Sequence, residues 1–409
     1  MLTQWFDPEP TFKGLLFAKA LKSKGHDIEV ITGLPNYPEG KLYPGYKRRL
    51  FQREVIEGIR INRVYLYPSH DNSVVRRIIN YASFAVTSCF YGIFCIGKAD
   101  VLYVYHPPLF VGVSGALISI FRRIPMVYDI QDLWPDTLQA TGMINNRMIL
   151  GFIGKLCTWT YRRTRKIVVL SPGFKQRLIE RGVPEKQITV VYNWCNEAAA
   201  ASNSIGIRVS NEYGMDGRFN VVFAGNIGAA QALDYVLKAA GKLKIFTKEV
   251  QFVFVGAGIK VQSLKDIVHR DGLDNVRFMP QLPITAIGEV LKRADVLLVH
   301  LKNNPLFEVT IPSKTQAYLL AGKPILMAVR GDAADLINRS GAGLCAVPEC
   351  PESIAGAVLK LFGMSKDERD AMGENGRRFY YQNLSLEVGT DRFLDTFKAA
   401  CNKAIRGNG

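Results

Sequence analysis

The sequence predicts an α/β protein in which two doubly wound parallel-sheet domains follow one another along the chain. Short β-branched runs alternate with helical stretches from end to end, the pattern of strand–helix–strand units. That alternation breaks once, at the small and polar stretch 197–212, EAAAASNSIGIRVSNE, which has no apolar period. The glycine turns that suit a phosphate lie after strands of the second series only.

In the first series strands are expected at 28–32, 61–65, 101–105, 126–130, 166–170 and 189–192, with helices such as 11–24 and 147–163 between them. Met1-Leu2-Thr3 reads as the end of an opening strand whose earlier part would lie upstream of Met1. Asp7-Pro8-Glu9 reads as the loop after it. The second series has strands at 219–223, 251–255, 276–278, 296–299, 324–328 and 344–347, with helices such as 230–242 and 353–362. A helical tail from 365 to 405 follows. The expected division is an amino-terminal domain at 1–193, a linker at 194–218, a carboxyl-terminal domain at 219–380 and a last helix at 381–409.

A chain of 409 residues exceeds one compact core, and 48% hydrophobic residues with mean hydropathy near zero describe a folded protein. The net charge is +16. Residues 1–200 hold 26 Lys and Arg against 15 Asp and Glu, so the excess sits in the first half. Such a half suits nucleic acid, an anionic membrane face or a phosphorylated substrate. No nucleic-acid reader motif and no interleaving of aromatic and basic residues is present, so nucleic acid is not an expected partner. Seven cysteines without a C-x-x-C pair, and five histidines without a paired spacing, give no zinc signature and fit a reducing cytosol. The opening MLTQWFDPEP has neither the basic start nor the long apolar core of a signal peptide.

Two stretches carry no charge: 78–97, after Arg76-Arg77 and before Lys98, and 108–121, before Arg122-Arg123. A buried helix, a helix lying in a membrane interface and a span are all open readings of the first. Asn80, Ser83, Thr87 and Ser88 weigh against the span.

The densest chemistry lies at 304–326, NPLFEVTIPSKTQAYLLAGKPIL. A loop with Pro312, Ser313 and Lys314 runs into an apolar helix that stops at Gly322. A helix start offers unpaired N–H groups and a positive dipole end, to which Ser313 adds a hydroxyl and Lys314 a full charge. Gly225-Asn226-Ile227-Gly228 follows one strand, Gly256-Ala257-Gly258 the next, and Arg277-Phe278-Met279-Pro280, which could pack against a base, a third. Together they point to a nucleotide-diphosphate site in the second domain. In the first domain, Asp132 and Asp136 flank Leu133-Trp134-Pro135, His106 ends a strand, and Asn36, Tyr37 and Pro38 form a candidate acceptor loop. A carboxylate there could orient a hydroxyl, and Trp134 could stack on a sugar.

The order GNxG, FVGxG, RFxP, ADVLLV, PSK and AGKPIL resembles the donor half of retaining GT-B glycosyltransferases of family 4. The segments TQWFDPE, GLPNYPEGK, YHPP, YDIQDLWPD and LSPGF resemble the branch that builds bacterial surface polysaccharides, with the O-antigen and colanic-acid enzymes and N-acetyl-L-fucosamine transferases as its nearest members. The resemblance implies two Rossmann-like domains facing a cleft, donor on the second and acceptor on the first. It also implies a last helix that crosses back to the first domain, and no metal or other cofactor.

Carried over position by position, Gly14 falls in the loop facing the donor phosphates. Gly225, Asn226 and Gly228 match the phosphate loop, with Gln231 beyond it. Gly256, Phe278 and Pro280 flank the nucleotide, and Ser313 and Lys314 match the diphosphate cradle. The expected catalytic set is Lys314, Asp132 and His106. Three departures stand out: Asn226 and Gln231 replace an Arg and a Lys of many members, Gln131 replaces a His, and Ala317 replaces a Glu that usually holds the ribose. Glu308 lies one position from the other Glu of that motif.

The implied donor is a UDP-sugar and the implied acceptor a saccharide on a polyprenyl diphosphate. That acceptor would bring the protein to the cytoplasmic surface of the inner membrane as a peripheral protein. Lys47, Arg48, Arg49, Arg53, Arg76, Arg77, Arg122 and Arg123 would supply the contact. A catalytically weak GT-B partner subunit, suggested by Ala317, and a GT-B sugar-nucleotide epimerase are the rival readings.

Overall fold

The computed structural model describes residues 1–69, 73–140, 143–198 and 214–402. The chain divides into two units, Met1–Tyr192 with Gly389–Gly409, and Asn193–Val388.

The first unit runs α1 (Leu15–Ser23), β1 (Glu29–Gly33), β2 (Phe51–Ile56), β3 (Ile59–Val64), α2 (Val74–Phe94), β4 (Leu102–Tyr105), α3 (Leu109–Arg122), β5 (Met126–Ile130), α4 (Asp136–Ala140), α5 (Arg147–Arg163), β6 (Lys166–Val169), α6 (Pro172–Glu180) and β7 (Ile188–Val190). Its strands lie in the orders β2-β3-β1 and β4-β5-β6-β7. Leu2 joins the two, bridging in parallel to Ile31 and to Val104. The amide of Leu2 donates to Tyr103 O at 2.8 Å, and Tyr105 N donates back to Leu2 O at 2.9 Å. The opening residues are thus the middle of the sheet, and the loop after them starts where strand order reverses. In such sheets that is where ligands sit.

β2 is an antiparallel edge strand that the sequence reading missed. Its burial alternates exposed and half-buried, so it lacks the continuous apolar run of its neighbours.

α2 and α3 run side by side: Ser88 and Ser114 hydroxyls meet at 2.9 Å, and a Cβ on Gly92 would strike Ile118. Small residues at these positions let the backbones approach. Phe84, Ser88 and Tyr91 of α2 are buried while Val75, Val86, Phe90 and Phe94 are exposed. Among the described residues no helix is long and apolar enough to cross a membrane, which removes the span reading of 78–97.

The second unit runs β8 (Phe219–Ala224), α7 (Leu233–Phe246), β9 (Val250–Val255), α8 (Val261–Arg270), β10 (Val276–Met279), α9 (Ile284–Arg293), β11 (Val296–His300), α10 (Pro305–Glu308), α11 (Lys314–Ala321), β12 (Ile325–Ala328), α12 (Asp332–Ser340), β13 (Gly343–Cys345), α13 (Pro351–Gly363) and α14 (Lys366–Asn383). Its six strands are all parallel, in the order β10-β9-β8-β11-β12-β13. The order reverses between β8 and β11, so the carboxyl ends of those two strands define the crevice of this unit.

Three expected boundaries move. The helix placed at 230–242 starts at Leu233, because a 3-10 turn at Ala229–Gln231 and Ala232 at φ 43° precede it. The tail placed at 365–405 is two helices, α14 and α15 (Leu386–Cys401), with a break at Leu384. Only residues from 389 onward group with the first unit, where Phe393 packs on Phe17 and Tyr103 at 5.0 and 5.5 Å between ring centroids. Residues 194–198 are not a free linker. Glu197 accepts from Tyr380 Oη at 2.9 Å and from Leu386 N at 2.8 Å, which ties them to the second unit. Of the rest of the expected linker, 199–213 lie outside the described residues.

Candidate active site

In the second unit β8 ends at Gly225, whose φ of 137° only glycine holds without strain. The neighbouring turn packs directly on it. A Cβ on Gly256 would come 2.0 Å from Gly225 O, and one on Gly258 would come 2.3 Å from Ile227 O. This close approach commits amides that the sequence had assigned to a ligand. Gly225 N donates to Val255 O and Ile227 N to Ala257 O, both at 2.9 Å. Gly228 N donates to the Gln231 side chain at 3.0 Å. The expected phosphate loop is therefore stiffened by its own hydrogen bonds, and the Gly228 amide is spent on the Gln231 side-chain oxygen.

α11 begins beside this turn. Its Lys314 Nζ lies 3.3 Å from the centroid of the Phe223 ring and would meet a Cβ on Gly225 at 3.2 Å. The ammonium is buried with no hydrogen-bond partner among the described residues, and burial pushes its pKa from 10.5 down to about 7. A cation over a ring face gains some attraction, yet its three donors stay unused. Ser313 stands half-buried at the helix start, and its hydroxyl makes no cap bond to the helix backbone. Tyr318, one turn on, fixes the helix to β8 through a 2.7 Å bond from Ala224 N to its hydroxyl.

His300, at the end of β11, accepts from Glu349 N at Nε2 (3.1 Å), which puts the ring proton on Nδ1, 2.7 Å from Gln231 O. It thereby ties the turn at 229–231 to the loop before α13. Sequence reasoning overlooked both Tyr318 and His300. The strand-end position of the histidine was the available signal.

The remaining donor-side residues separate. Asn226 and Pro280 are exposed at the ends of β8 and β10. Phe278 is half-buried and stacks one ring face on Phe254, with centroids 5.4 Å apart at 27°. Ala317 lines a cavity of about 330 Å³ with Leu320, Ile287, Gly288 and Glu197. The position that a ribose-binding Glu would occupy is thus open space beside α9.

In the first unit Gly14 precedes α1 where a Cβ would come 2.1 Å from Asp7 Oδ2, the oxygen that accepts from Leu15 N at 2.6 Å. Beside it Lys13 and Asp129 form an ion pair at 2.6 Å, with both side chains 0% exposed. Tyr103 Oη also donates to Asp129 at 2.7 Å, and Gln131 Nε2 at 2.5 Å. Glu9 accepts from Asn36 N at 2.7 Å and Tyr37 N at 2.8 Å, and so holds the expected acceptor loop. Burial raises the Glu9 carboxyl to about 7.

His106 is buried edge-on between Tyr128 and Trp134, with Nδ1 unpartnered among the described residues. Burial drives its pKa down to about 3, so it is a neutral imidazole at any physiological pH. It cannot enter a reaction as a resting imidazolium. Asp132 is largely withdrawn from solvent and its carboxyl is raised by burial. Asp136 is taken by Arg181 at 2.7 Å and reads as structural. Among the described residues no group of three His, Cys, Asp or Glu side chains could hold a metal ion.

Each unit, then, is a sheet built mainly of parallel strands, and in the second the glycine turns and the Lys314 ammonium meet at the carboxyl ends of the strands, the build of a GT-B glycosyltransferase. Residues 15–194 match the glycosyl transferase 4-like domain and residues 210–379 match the glycosyl transferases group 1. Among solved structures, HepE of Anabaena in complex with UDP and glucose aligns with TM-score 0.69 at 15% identity, over 97% of this chain and 98% of that one. Sucrose-phosphate synthase from Thermosynechococcus elongatus aligns at 0.70 and 14%, over 93% and 91%. In sequence, the putative colanic acid biosynthesis glycosyl transferase WcaI of Escherichia coli is 26% identical over 92% of this chain and 93% of its own length. The probable glycosyltransferase WbjE of Pseudomonas aeruginosa is 24% identical over 75% of each. The chain belongs to the group 1 and GT4-like glycosyltransferases.

Proposed function

We propose that this glycosyltransferase moves a sugar, with retention at the anomeric carbon, from a UDP-sugar to a saccharide carried on a polyprenyl diphosphate, in the assembly of a bacterial surface polysaccharide. The observation that carries the donor half is the buried, unpartnered Lys314 ammonium at the stiff Gly225 turn. When the glycosidic bond to the diphosphate breaks, negative charge grows on the leaving phosphate oxygens. A preorganised cation in a site shielded from water stabilises that charge at no reorganisation cost. The relative named for colanic acid and the neighbour holding UDP support the polysaccharide context and the uridine donor. N-acetyl-L-fucosamine is the sugar proposed from the surface-polysaccharide branch. No observation favours the epimerase or the partner-subunit reading.

The test is thermal shift against UDP-, GDP- and dTDP-sugars, because a ligand that binds only the folded state raises its melting point. UDP-sugars are expected to stabilise the protein more than the others. Equal indifference to all three would remove the donor assignment.

Binding should also depend on pH. In the free protein Lys314 titrates near 7, and a diphosphate beside it raises that value. Below 7 the ammonium is already charged and affinity is full. Above 7 a proton must be taken up on binding, so affinity falls with rising pH by up to about tenfold per unit until the pKa of the complex is reached. Calorimetry with UDP-glucose in buffers of different ionisation enthalpy should read uptake approaching one proton near pH 8. An equal uptake in Lys314→Ala would assign it to another group.

A further inference from the structure

We infer that the outer face of the α2–α3–α5 layer seats the first unit on the surface of an anionic bilayer. This deepens the proposed function and rests on it for the purpose of such contact, since a polyprenyl-borne acceptor is reached only at a membrane. The surface itself is argued from its chemistry. Along α2, Val75, Ile79, Val86, Phe90 and Phe94 recur at helical spacing and point outward, with Phe90 64% and Phe94 68% exposed. α3 packs against both α2 and α5 and ends in exposed Phe121. The first turns of α5 add Met148 at 85% and Phe152 at 67% exposure. Aromatic rings so exposed across three adjacent helices exceed the scattered apolar residues of an ordinary surface.

Charge decides what covers this face. None of the three helices contains an Asp or a Glu, and Asp100 is the one acidic residue between Ser73 and Arg123. On α5 the apolar turns give way to a groove of about 720 Å³ lined by Gly151, Gly154, Lys155, Trp159, Arg162 and Arg163. Neither glycine has anything within 4 Å of its would-be Cβ, so the groove is open above the helix. Apolar rings beside a tryptophan and three cations, with no acid among them, match acyl chains under anionic headgroups. A second copy of the same face would set cation against cation. Arg122, expected to face lipid, is instead spent on the carbonyls of Ile93 and Ile96 at the end of α2, so the α5 cations take that role.

The experiment is co-sedimentation with vesicles of phosphatidylcholine alone or with phosphatidylglycerol, alongside analytical ultracentrifugation. The full chain should bind only the anionic vesicles at low salt and release toward 1 M salt, where screening extends to about 3 Å. Phe90→Ser/Phe94→Ser and Lys155→Glu/Arg162→Glu should each lower the partition coefficient at least about tenfold, with unchanged melting temperature and unchanged thermal shift by UDP-sugar. Absence of binding to anionic vesicles overturns the inference, whether the protein is monomeric or forms a dimer that the phenylalanine pair dissolves. So does binding that neither variant weakens. Vesicle binding without any nucleotide-sugar shift would overturn the transfer reading and leave the surface standing.

Discussion

Lys314→Ala lowers turnover at least about a hundredfold while the protein stays folded. The size follows from the loss of one preorganised donor to a leaving group, about 3 kcal/mol or 10²- to 10³-fold in rate. The residue suits the test because its ammonium makes no hydrogen bond within the described protein, so truncation orphans no partner. Removing a buried, unpaired charge relieves desolvation, and the melting temperature should hold or rise. Lys314→Arg should not restore the rate. The space between Phe223 and Gly225 is set for a compact ammonium, and the planar fork is larger. Steady-state kinetics with a UDP-sugar donor would decide, and a rate within threefold of the parent would take Lys314 out of the mechanism.

The second large effect is on stability. Lys13 and Asp129 are both inaccessible to solvent, and the lysine also lies 5.0 Å over the Phe393 ring of α15. Lys13→Met leaves the Asp129 carboxylate buried with Tyr103 and Gln131 as its side-chain donors among the described residues, at a cost of about 3–5 kcal/mol. The first unit should then melt about 10 °C lower. Lys13→Met/Asp129→Asn should recover at least half of the loss, because the double variant leaves no uncompensated charge and an Asn oxygen still accepts from Tyr103. An unshifted melt in the single variant would show that water reaches the pair.

Much of this was legible in the residue order. Met126–Ile130 and Arg147–Arg163 were read to the residue, because a run rich in Val, Tyr and Ile and an Asn146 cap mark their limits. The meeting of the Gly225 turn with the Lys314 helix start followed from glycines after strands and from the PSK segment. Other features were hidden for stated physical reasons. β2 has no fully buried position and Gln52, Arg53 and Glu54 interrupt its apolar residues, so no apolar run marks it. Phe278 was read as packing against a base, and its stacking on Phe254 appeared only in the fold. The ion pair joins residues 116 positions apart, a separation no local pattern encodes.

Periodicity and turn chemistry therefore settled the class of fold, the presence of two parallel-sheet units and the segments that carry chemistry, since each depends on neighbours along the chain. Folding in three dimensions decided which groups are spent and which stay available. Amides of the glycine turn are consumed by the adjacent turn, His106 is held neutral by burial, and Lys314 is left as a cation without a hydrogen-bond partner among the described residues. Those outcomes depend on desolvation and on contacts between distant segments, which arise only once the sheets have assembled.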